Sequence, residues 1–331
     1  MSAAAFRILV TGGNGFVGRH LVAALAALEG EPAVIVGSND RMPVQQGHNI
    51  SSAALDVTDA EQVRDVIAEE RPTHVVHLAA VSAIPAAQSN VRLAWDVNLG
   101  GTLNVALAIT ERAPECRLLF CSSAEVYGGS FRAGVPLDEN ALLDPISNYG
   151  ATKAAADLMI GQMAKRGLRA IRVRPFNHTG PGQSEDFVVA SFAAQIARIE
   201  RGAQEPVMKV GDLTSRRDFL DVRDVIDAYI RVLLRFDDIP RGSPINIASG
   251  RAVAISEILD TLRSMTSTTV KVERDPMRAR DVDTPIIVGD PGTARRLLDW
   301  TARTTLSSTL ASVLNSFRQP EGSIGRPQAT P

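Results

Sequence analysis

The chain has 331 residues, of which 45% are hydrophobic and 22% charged, and this composition predicts a folded globular protein. Its 35 basic and 37 acidic residues nearly cancel, so no overall field would hold it to nucleic acid or to an anionic membrane. The N-terminus lacks the basic lead and apolar core of a secretory signal, and no apolar run approaches the roughly 18 residues that span a bilayer. We therefore expect a cytoplasmic protein without nucleic-acid or membrane partners.

The first half of the sequence alternates short β-branched runs with longer segments of helical periodicity, which is the pattern of parallel βαβ units. The predicted strands are 6–10, 33–37, 53–55, 74–79, 117–122 and 169–174, and the predicted helices are 16–29, 59–70, 92–112 and 148–166. Because the strand runs are apolar on both faces, we predict an α/β fold built on a doubly wound parallel Rossmann sheet. The two cysteines, Cys116 and Cys121, are interpreted as strand or core residues rather than a disulfide or metal site.

After Pro175 the rhythm changes to a turn-rich stretch. Further elements are predicted at 187–201 (helix), 207–211 (strand), 221–236 (helix) and 244–248 (strand). We predict two domains that interleave along the chain. They are a dinucleotide-binding Rossmann domain of residues 1–175 and 218–249 and a smaller C-terminal nucleotide-sugar-binding domain of residues 176–217 and 250–318. Residues 319–331 are predicted to be a tail.

A glycine-rich turn follows the first predicted strand, where Gly12, Gly15 and Gly18 have the spacing Gly-x-x-Gly-x-x-Gly. Such glycines allow a tight turn, close approach of a pyrophosphate to the backbone, and close packing of helix on strand. The pyrophosphate would lie on the amides of the helix N-terminus. A glycine turn without a ligand is the alternative, which the flanking strand and helix disfavour. The same turn contributes the predicted cofactor contacts Asn14, Phe16 and Val17.

The end of the second predicted strand bears on the choice between NAD and NADP. A carboxylate at the strand tip selects the free ribose hydroxyl of NAD. Here Asp40 lies beyond the expected tip, while Ser38, Asn39 and Arg41 could hold the extra phosphate of NADP. We therefore favour NADP(H) as cofactor, with NAD(H) as the alternative.

The third and fourth predicted strands end in residues that could line the rest of a cofactor site. Asp56 is either a partner of the adenine amino group or part of a helix cap, and neither reading is preferred. His77 is interpreted as a strand histidine rather than a catalyst. Small residues after it would let a backbone pass close to a cofactor, so the remaining predicted contacts are Val57, Leu78, Ala79 and Ala80.

Tyr149 and Lys153 lie four apart at the start of a predicted helix, so both side chains project from one face. A nearby ammonium would stabilise the phenolate and lower the pKa of the tyrosine, which would then exchange a proton. The segment Cys121-Ser-Ser-Ala-Glu-Val-Tyr127 follows a strand and places hydroxyl groups at the edge of the sheet where ligands of such folds bind.

In order, the glycine turn, His-Leu-Ala-Ala, the strand-end serines, Tyr-x-x-x-Lys and Arg-Pro-Phe-Asn resemble the extended short-chain dehydrogenase/reductase family over nearly the whole chain. The resemblance implies that Ser123 orients the substrate oxygen, with Ser122 as the alternative. It also implies that Tyr149 is the general acid/base, that Lys153 also holds the nicotinamide ribose, and that Asn98 is mainly structural. It implies a homodimer formed by helices 92–112 and 148–166, and no metal ion.

Within the family, Arg174-Pro-Phe-Asn-His-Thr-Gly-Pro-Gly-Gln183 and the segment Arg216-Arg-Asp-Phe-Leu-Asp-Val-Arg-Asp224 are most similar to GDP-4-dehydro-6-deoxy-D-mannose reductases. The resemblance places Asn177 and Arg217 near the substrate diphosphate, a task that suits a guanidinium group. A solvated surface charge is the alternative for each arginine. The other residues that the resemblance assigns to the substrate are Ser82, Val188, Lys209, Arg280 and Asp283.

The implied reaction is NAD(P)H-dependent reduction of a 4-keto group, giving GDP-D-rhamnose from a GDP-linked deoxyhexose. Glu125 keeps a GDP-mannose 4,6-dehydratase open, because those enzymes carry a glutamate base two residues beyond the serine. A 4-epimerase, or a 4-ketoreductase of a dTDP- or UDP-linked sugar, shares the catalytic set and also stays open. A protein that only binds a dinucleotide and senses redox state is disfavoured by the intact catalytic residues.

Overall fold

The computed structural model describes residues 6–39, 47–275 and 284–319, and its centre is a parallel sheet of seven strands. Numbered along the chain, these strands are β1 (Arg7–Thr11), β2 (Ala33–Ser38), β3 (Ile50–Ala54), β4 (His74–His77), β5 (Arg117–Cys121), β6 (Ala170–Pro175) and β10 (Pro244–Ile247). Their spatial order is β10-β6-β5-β4-β1-β2-β3. The order reverses between β1 and β4, and ligands of open α/β sheets bind outside the carboxyl ends of the strands at such a point.

Helices cover both faces of this sheet. They and the other helices are α1 (Phe16–Ala26), α2 (Ala60–Glu70), α3 (Ile84–Ser89), α4 (Val91–Trp95), α5 (Thr102–Arg112), α6 (Asn148–Lys165), α7 (Val188–Glu200), α8 (Val222–Leu234), α9 (Ile255–Ser264), α10 (Gly292–Leu298) and α11 (Leu306–Arg318). Along β1, Ile8 and Val10 pack with α1 and α8, whereas Leu9 packs with α2, α5 and α6. The predicted doubly wound parallel sheet is therefore confirmed.

Smaller sheets lie beside the central one. β7 (Asn177–Thr179), β9 (Arg216–Asp221), β11 (Ala252–Ala254) and β13 (Ile286–Ile287) form one, and β8 (Val207–Val210) and β12 (Lys271–Arg274) form another. Helices α7, α9 and α11 bury a separate apolar cluster with these strands. The predicted domain boundary falls at residue 218, which lies inside strand β9. The two-domain division stays a prediction.

Two predicted elements differ from the observed ones. The segment predicted as one helix, 92–112, is α4, a π-helical turn at Asp96–Gly101, and α5. The strand predicted at 53–55 is β3, whose Ser51 and Ser52 are exposed, so the apolar pattern marked only its end. In the described ranges, no helix is long and apolar enough to cross a membrane.

Candidate active site

The glycine turn after β1 is as tight as its sequence predicts. Gly12 has φ +70°, and a Cβ added there would lie 2.8 Å from the amide nitrogen of Ala79. A Cβ on Gly18 would overlap the carbonyl oxygens of Gly12 and Gly13, lying 2.6 Å from the latter. Only glycine fits at both positions. The absence of a side chain at Gly12 lets the turn approach the end of β4, and its absence at Gly18 lets the helix pack closely on the turn.

Helix α1 begins directly after this turn and offers its N-terminus as an anion site. Its N-cap is Gly15, no side chain caps the first amides, and no acidic residue lies in the first turn. Asn14 Nδ2 donates to Ser38 Oγ at 2.9 Å and so joins the turn to the end of β2. Uncapped amides at a helix N-terminus attract a pyrophosphate, and these residues therefore fit a dinucleotide.

His77 lies beneath the site as a buried strand residue. Its Nδ1 is 2.7 Å from Thr11 Oγ1 and its Nε2 is 3.0 Å from Thr102 Oγ1. Burial, helped by the charge of Lys153, lowers the pKa of His77 to about 3, so the ring is neutral. With both ring nitrogens occupied, this residue has a structural role, and Leu78, Ala79 and Ala80 follow it half-buried.

Asp56 does not cap helix α2. Asp59 is the cap, and its Oδ1 accepts from the amides of Glu61 and Gln62 at 3.0 and 3.1 Å. Asp56 Oδ1 instead accepts from the amide and hydroxyl of Thr58, while the neighbouring Val57 is buried. Of the two readings of Asp56, the cap is therefore wrong, and adenine recognition stays a prediction.

Tyr149 and Ser123 meet where the end of β5 faces helix α6. Ser147 caps this helix by accepting from the Gly150 amide at 3.0 Å, which places Tyr149 in the first turn. The Ser123 hydroxyl lies close enough to the phenol of Tyr149 to influence its pKa. Ser123 Oγ also accepts from the Glu125 amide at 3.2 Å, which fixes its rotamer.

The pKa of Tyr149 differs in direction from the sequence prediction. Burial raises the pKa of Tyr149 well above its usual value, the nearby Cys121 and Glu125 add to the increase, and the Ser123 hydroxyl opposes it. The predicted lowering by Lys153 is wrong for this structure, because desolvation outweighs any effect of the ammonium group.

Lys153 is buried in the same site. Its Nζ donates to the carbonyl oxygen of Cys121 at 2.8 Å and lies 5.3 Å from the ring centre of Phe120. Burial lowers the pKa of Lys153. The ammonium group is therefore fixed at the end of β5, against the carbonyl oxygen of Cys121.

Arg217 reaches the site from β9. Its Nη1 donates to the carbonyl oxygens of Arg216 at 2.9 Å and Pro285 at 3.3 Å. Burial lowers the pKa of Arg217, and the charges of Glu125 and Asp212 oppose that effect. Arg217 therefore lies near enough to Glu125 for the two charges to interact, and the sequence did not predict this pair.

The other predicted substrate residues are more dispersed. Asn177 is half-buried on β7 beside β9, Val188 opens α7, and Ser82 is exposed after β4. Lys209 lines a surface cavity of ≈ 540 Å³ whose lining includes no other predicted site residue. Among the predicted residues, Arg41, Arg280 and Asp283 lie outside the described ranges, as does Asp40.

Sequence reasoning missed two polar arrangements around the site. Tyr229 on α8 places its hydroxyl 3.2 Å from Cys121 Sγ, and no sequence pattern pointed to this pair. Asp157 is fully buried on α6, and its only sequence signal is the spacing of four residues from Lys153.

In the part of the chain that the structure describes, no group of three or more histidine, cysteine or acidic side chains could hold a metal ion.

Comparison with known proteins identifies the family. The model of the NAD dependent epimerase/dehydratase family matches residues 8–248. This chain is a member of that family. A related sequence is the GDP-6-deoxy-D-mannose reductase of Pseudomonas aeruginosa, which is 33% identical over 94% of this chain and 97% of its own length.

Two solved structures of epimerase/dehydratase relatives have the same fold. RMD from P. aeruginosa complexed with NADPH has a TM-score of 0.83 at 32% identity, covering 95% of this chain and 99% of its own. The UDP-glucose 4-epimerase of Thermus thermophilus complexed with NAD has a TM-score of 0.80 at 26% identity, covering 95% and 99%. The predicted family and the prediction of an NAD(P)-dependent oxidoreductase are therefore confirmed.

Proposed function

We propose that this enzyme reduces the C4 keto group of GDP-4-dehydro-6-deoxy-D-mannose and forms GDP-D-rhamnose. The observation that carries the proposal is the proximity of Tyr149 and Ser123 at the carboxyl end of a parallel sheet, where Lys153 is buried against the Cys121 carbonyl. The 33% identity to a GDP-6-deoxy-D-mannose reductase supports the choice of substrate.

The raised pKa of Tyr149 favours the reductive direction. A bound nicotinamide cofactor supplies the hydride. Since burial keeps the phenol of Tyr149 protonated, it can donate that proton to the oxygen at C4 as negative charge develops there. The Ser123 hydroxyl donates a hydrogen bond to the same oxygen and stabilises the charge. Lys153 holds the ribose of the cofactor and adds a positive charge.

Arg217 is proposed to bind the substrate diphosphate. It is half-buried, so its guanidinium group is partly desolvated and interacts strongly with an anion. Asn177, on the strand paired with β9, is proposed to bind the same group. We further propose Ser82 for the hexose, Val188 and Lys209 for the nucleotide, and Arg280 and Asp283 for the diphosphate and ribose.

NADP(H) is the favoured cofactor and NAD(H) the alternative. Ser38 ends β2 and Asn39 follows it, so both offer polar side chains there, and the similar RMD structure contains NADPH. The similar T. thermophilus epimerase contains NAD, which keeps the alternative open.

We also propose that the enzyme is a homodimer. Leu103 and Leu107 on α5 are 37% and 42% exposed, and Leu158 on the neighbouring α6 is 60% exposed. Burying such leucines against a second copy would stabilise the dimer by removing apolar surface from water.

A GDP-mannose 4,6-dehydratase is the second candidate, favoured by one observation. The Glu125 carboxylate is close enough to Tyr149 to raise its pKa, where a base for C5 could act. The same carboxylate also interacts with Arg217, which offers it a role in holding the substrate-binding side chain.

The two candidates are separated by an assay with two arms. The reductase consumes NADPH when GDP-4-dehydro-6-deoxy-D-mannose is added, and the product is GDP-D-rhamnose by NMR. The dehydratase instead converts GDP-mannose to the 4-keto sugar without net use of added cofactor. No NADPH consumption at high enzyme concentration contradicts the proposed function, and accumulation of 4-keto sugar from GDP-mannose supports the second candidate.

A further inference from the structure

A polar stripe on α6 continues inward beyond the catalytic pair. Tyr149, Lys153 and Asp157 follow one another at intervals of four residues, so they share a helix face. The side chain of Asp157 is completely buried. A buried carboxylate needs paired charges or several hydrogen bonds, so its partners must be accounted for.

Two arginines of β6 surround Asp157. Arg174 makes a forked pair, with Nε 3.0 Å from Oδ2 and Nη2 2.8 Å from Oδ1. Arg172 Nη1 is 2.5 Å from Oδ1. Burial opposes ionisation, but these contacts hold the pKa of Asp157 below its usual range. Helix α6 is therefore attached to β6 by a charged, bidentate contact rather than by apolar packing alone.

Arg174 is joined in turn to Tyr127. Arg174 Nη1 donates to the hydroxyl oxygen of Tyr127 at 2.9 Å, and that hydroxyl donates to Asn246 Oδ1 on β10 at 2.7 Å. Burial raises the pKa of Tyr127 to about 12, so the phenol keeps the proton that it donates. Asn246 Nδ2 donates to the carbonyl oxygen of Leu137 at 2.9 Å, which completes a chain of hydrogen bonds that starts at Asp157.

Tyr127 also ends the turn that carries Ser123. The turn is a 3-10 helix at Ala124–Val126, with Ser123 as its N-cap. The Tyr127 amide closes it by donating to the Ala124 carbonyl at 3.0 Å. The Tyr127 ring packs edge-on against Phe131 at 5.8 Å. Tyr127 thus ties the Ser123 turn to the arginine that holds α6.

We propose that Tyr127, Arg174 and Asp157 are positioning residues whose buried chain of hydrogen bonds fixes the distance between the Ser123 turn and helix α6. Ser123 and Tyr149 lie on these two segments, so their mutual placement depends on that distance. An error of about 1 Å in such a pair costs on the order of 100-fold in rate. None of the three positioning residues has to touch the substrate.

Tyr127→Phe tests this inference, because it removes one hydroxyl and keeps the ring. Phe131→Leu is the matched control, since it disturbs the same aromatic cluster without removing a hydrogen bond. We expect Tyr127→Phe to lower kcat by about 10- to 100-fold with little change in KM. Phe131→Leu should lower the melting temperature and keep kcat.

A double-mutant cycle separates positioning from loss of stability. If Tyr127 acts through the Ser123–Tyr149 pair, Tyr127→Phe adds no further loss of kcat to Ser123→Ala. An unchanged kcat in Tyr127→Phe, or losses that multiply in the double variant, overturns the inference. If Tyr127→Phe does not fold, Arg174→Lys enters the same cycle, because it keeps the charge opposite Asp157 and loses the fork.

The kcat measurements rest on the proposed function. Hydrogen exchange gives a readout that does not depend on that function. Tyr127→Phe should speed amide exchange in both 123–127 and the first turns of α6, whereas Phe131→Leu should not affect α6. Equal exchange at α6 in wild type and Tyr127→Phe overturns the inference. A wild type that lacks ketoreductase activity contradicts the proposed function alone, and the exchange comparison still applies.

Discussion

At the scale of single residues, the protonated state of Tyr149 is the feature on which the proposed reduction depends. Tyr149→Phe removes the proton donor and keeps the ring, so we expect kcat to fall by about 10²- to 10⁴-fold, as for loss of a general acid. Cofactor affinity should stay within about twofold, because the substitution leaves Lys153 and the glycine turn, which are proposed to hold the cofactor, unchanged. Cofactor titration by fluorescence and steady-state rates measure both quantities. Activity near wild type would remove Tyr149 from the mechanism.

His77 makes stability depend on pH. Its pKa is about 3 in the folded protein because of burial and Lys153, against about 6.5 in an unfolded chain. As the pH falls, His77 is protonated in the unfolded chain before it is protonated in the folded protein. Its contribution to the free energy of unfolding is therefore fully present above pH about 6.5. It falls as the pH drops toward 3, and the loss at pH about 5 is about 2 kcal/mol.

Urea unfolding near pH 7.5 and near pH 5 gives two free energies of unfolding, and their difference measures the effect of His77. His77→Gln can still bond Thr11 and Thr102 but does not titrate, so its free energy of unfolding should depend less on pH. His74, whose pKa burial and Arg117 also lower to about 3, keeps contributing. His48→Gln is the control, because His48 is exposed. A pH dependence unchanged by His77→Gln would contradict the assignment.

At the scale of secondary structure elements, the glycine turn fixes how α1 meets β1. Gly18→Ala forces a methyl group against the Gly12 and Gly13 carbonyls, so we expect about 1–3 kcal/mol lower stability and weaker cofactor binding. Gly100→Ala is the control, because its Cβ would meet only the Trp95 carbonyl at 3.9 Å. Urea unfolding and cofactor titration compare the two variants. Equal behaviour would mean that close packing at Gly18 is unimportant.

The central sheet could be predicted because each of its strands is read from local sequence. Strand β2 is a short β-branched run flanked by turn residues, and β1 runs directly into the glycine turn. Strand β9 could not be predicted, since its residues are mostly charged and its partners β11 and β13 lie more than thirty residues away. The π turn at Asp96–Gly101 adds a residue to one turn of an otherwise continuous helical segment, and this local change of register is too small for the apolar pattern to reveal.

The site was predictable to the same extent. Ser123 follows strand β5, and Tyr149 lies in the first turn of helix α6. The topology of the fold therefore brings the two residues together. The contact between Cys121 and Tyr229 spans 108 residues and needs the folded structure. The direction of the Tyr149 pKa also needed it, because desolvation depends on burial that no motif encodes.

At the scale of the whole molecule, the proposed dimer predicts a change in assembly. Leu107→Glu or Leu158→Glu would place a charge in a buried interface, so we expect monomers in light scattering after gel filtration. Leu142→Glu is the control, since Leu142 is 74% exposed and lies in a loop outside both helices of the proposed interface. A wild type that is already monomeric would contradict the proposal.

The central claim is that this enzyme is a GDP-sugar 4-ketoreductase, and isotope transfer tests it most directly. NADPH labelled with deuterium at the transferable position is incubated with GDP-4-dehydro-6-deoxy-D-mannose, and the product is analysed by NMR and mass spectrometry. The account predicts one deuterium at C4 of GDP-D-rhamnose, with Tyr149→Phe giving almost none. An unlabelled sugar, or deuterium at a carbon other than C4, would contradict it.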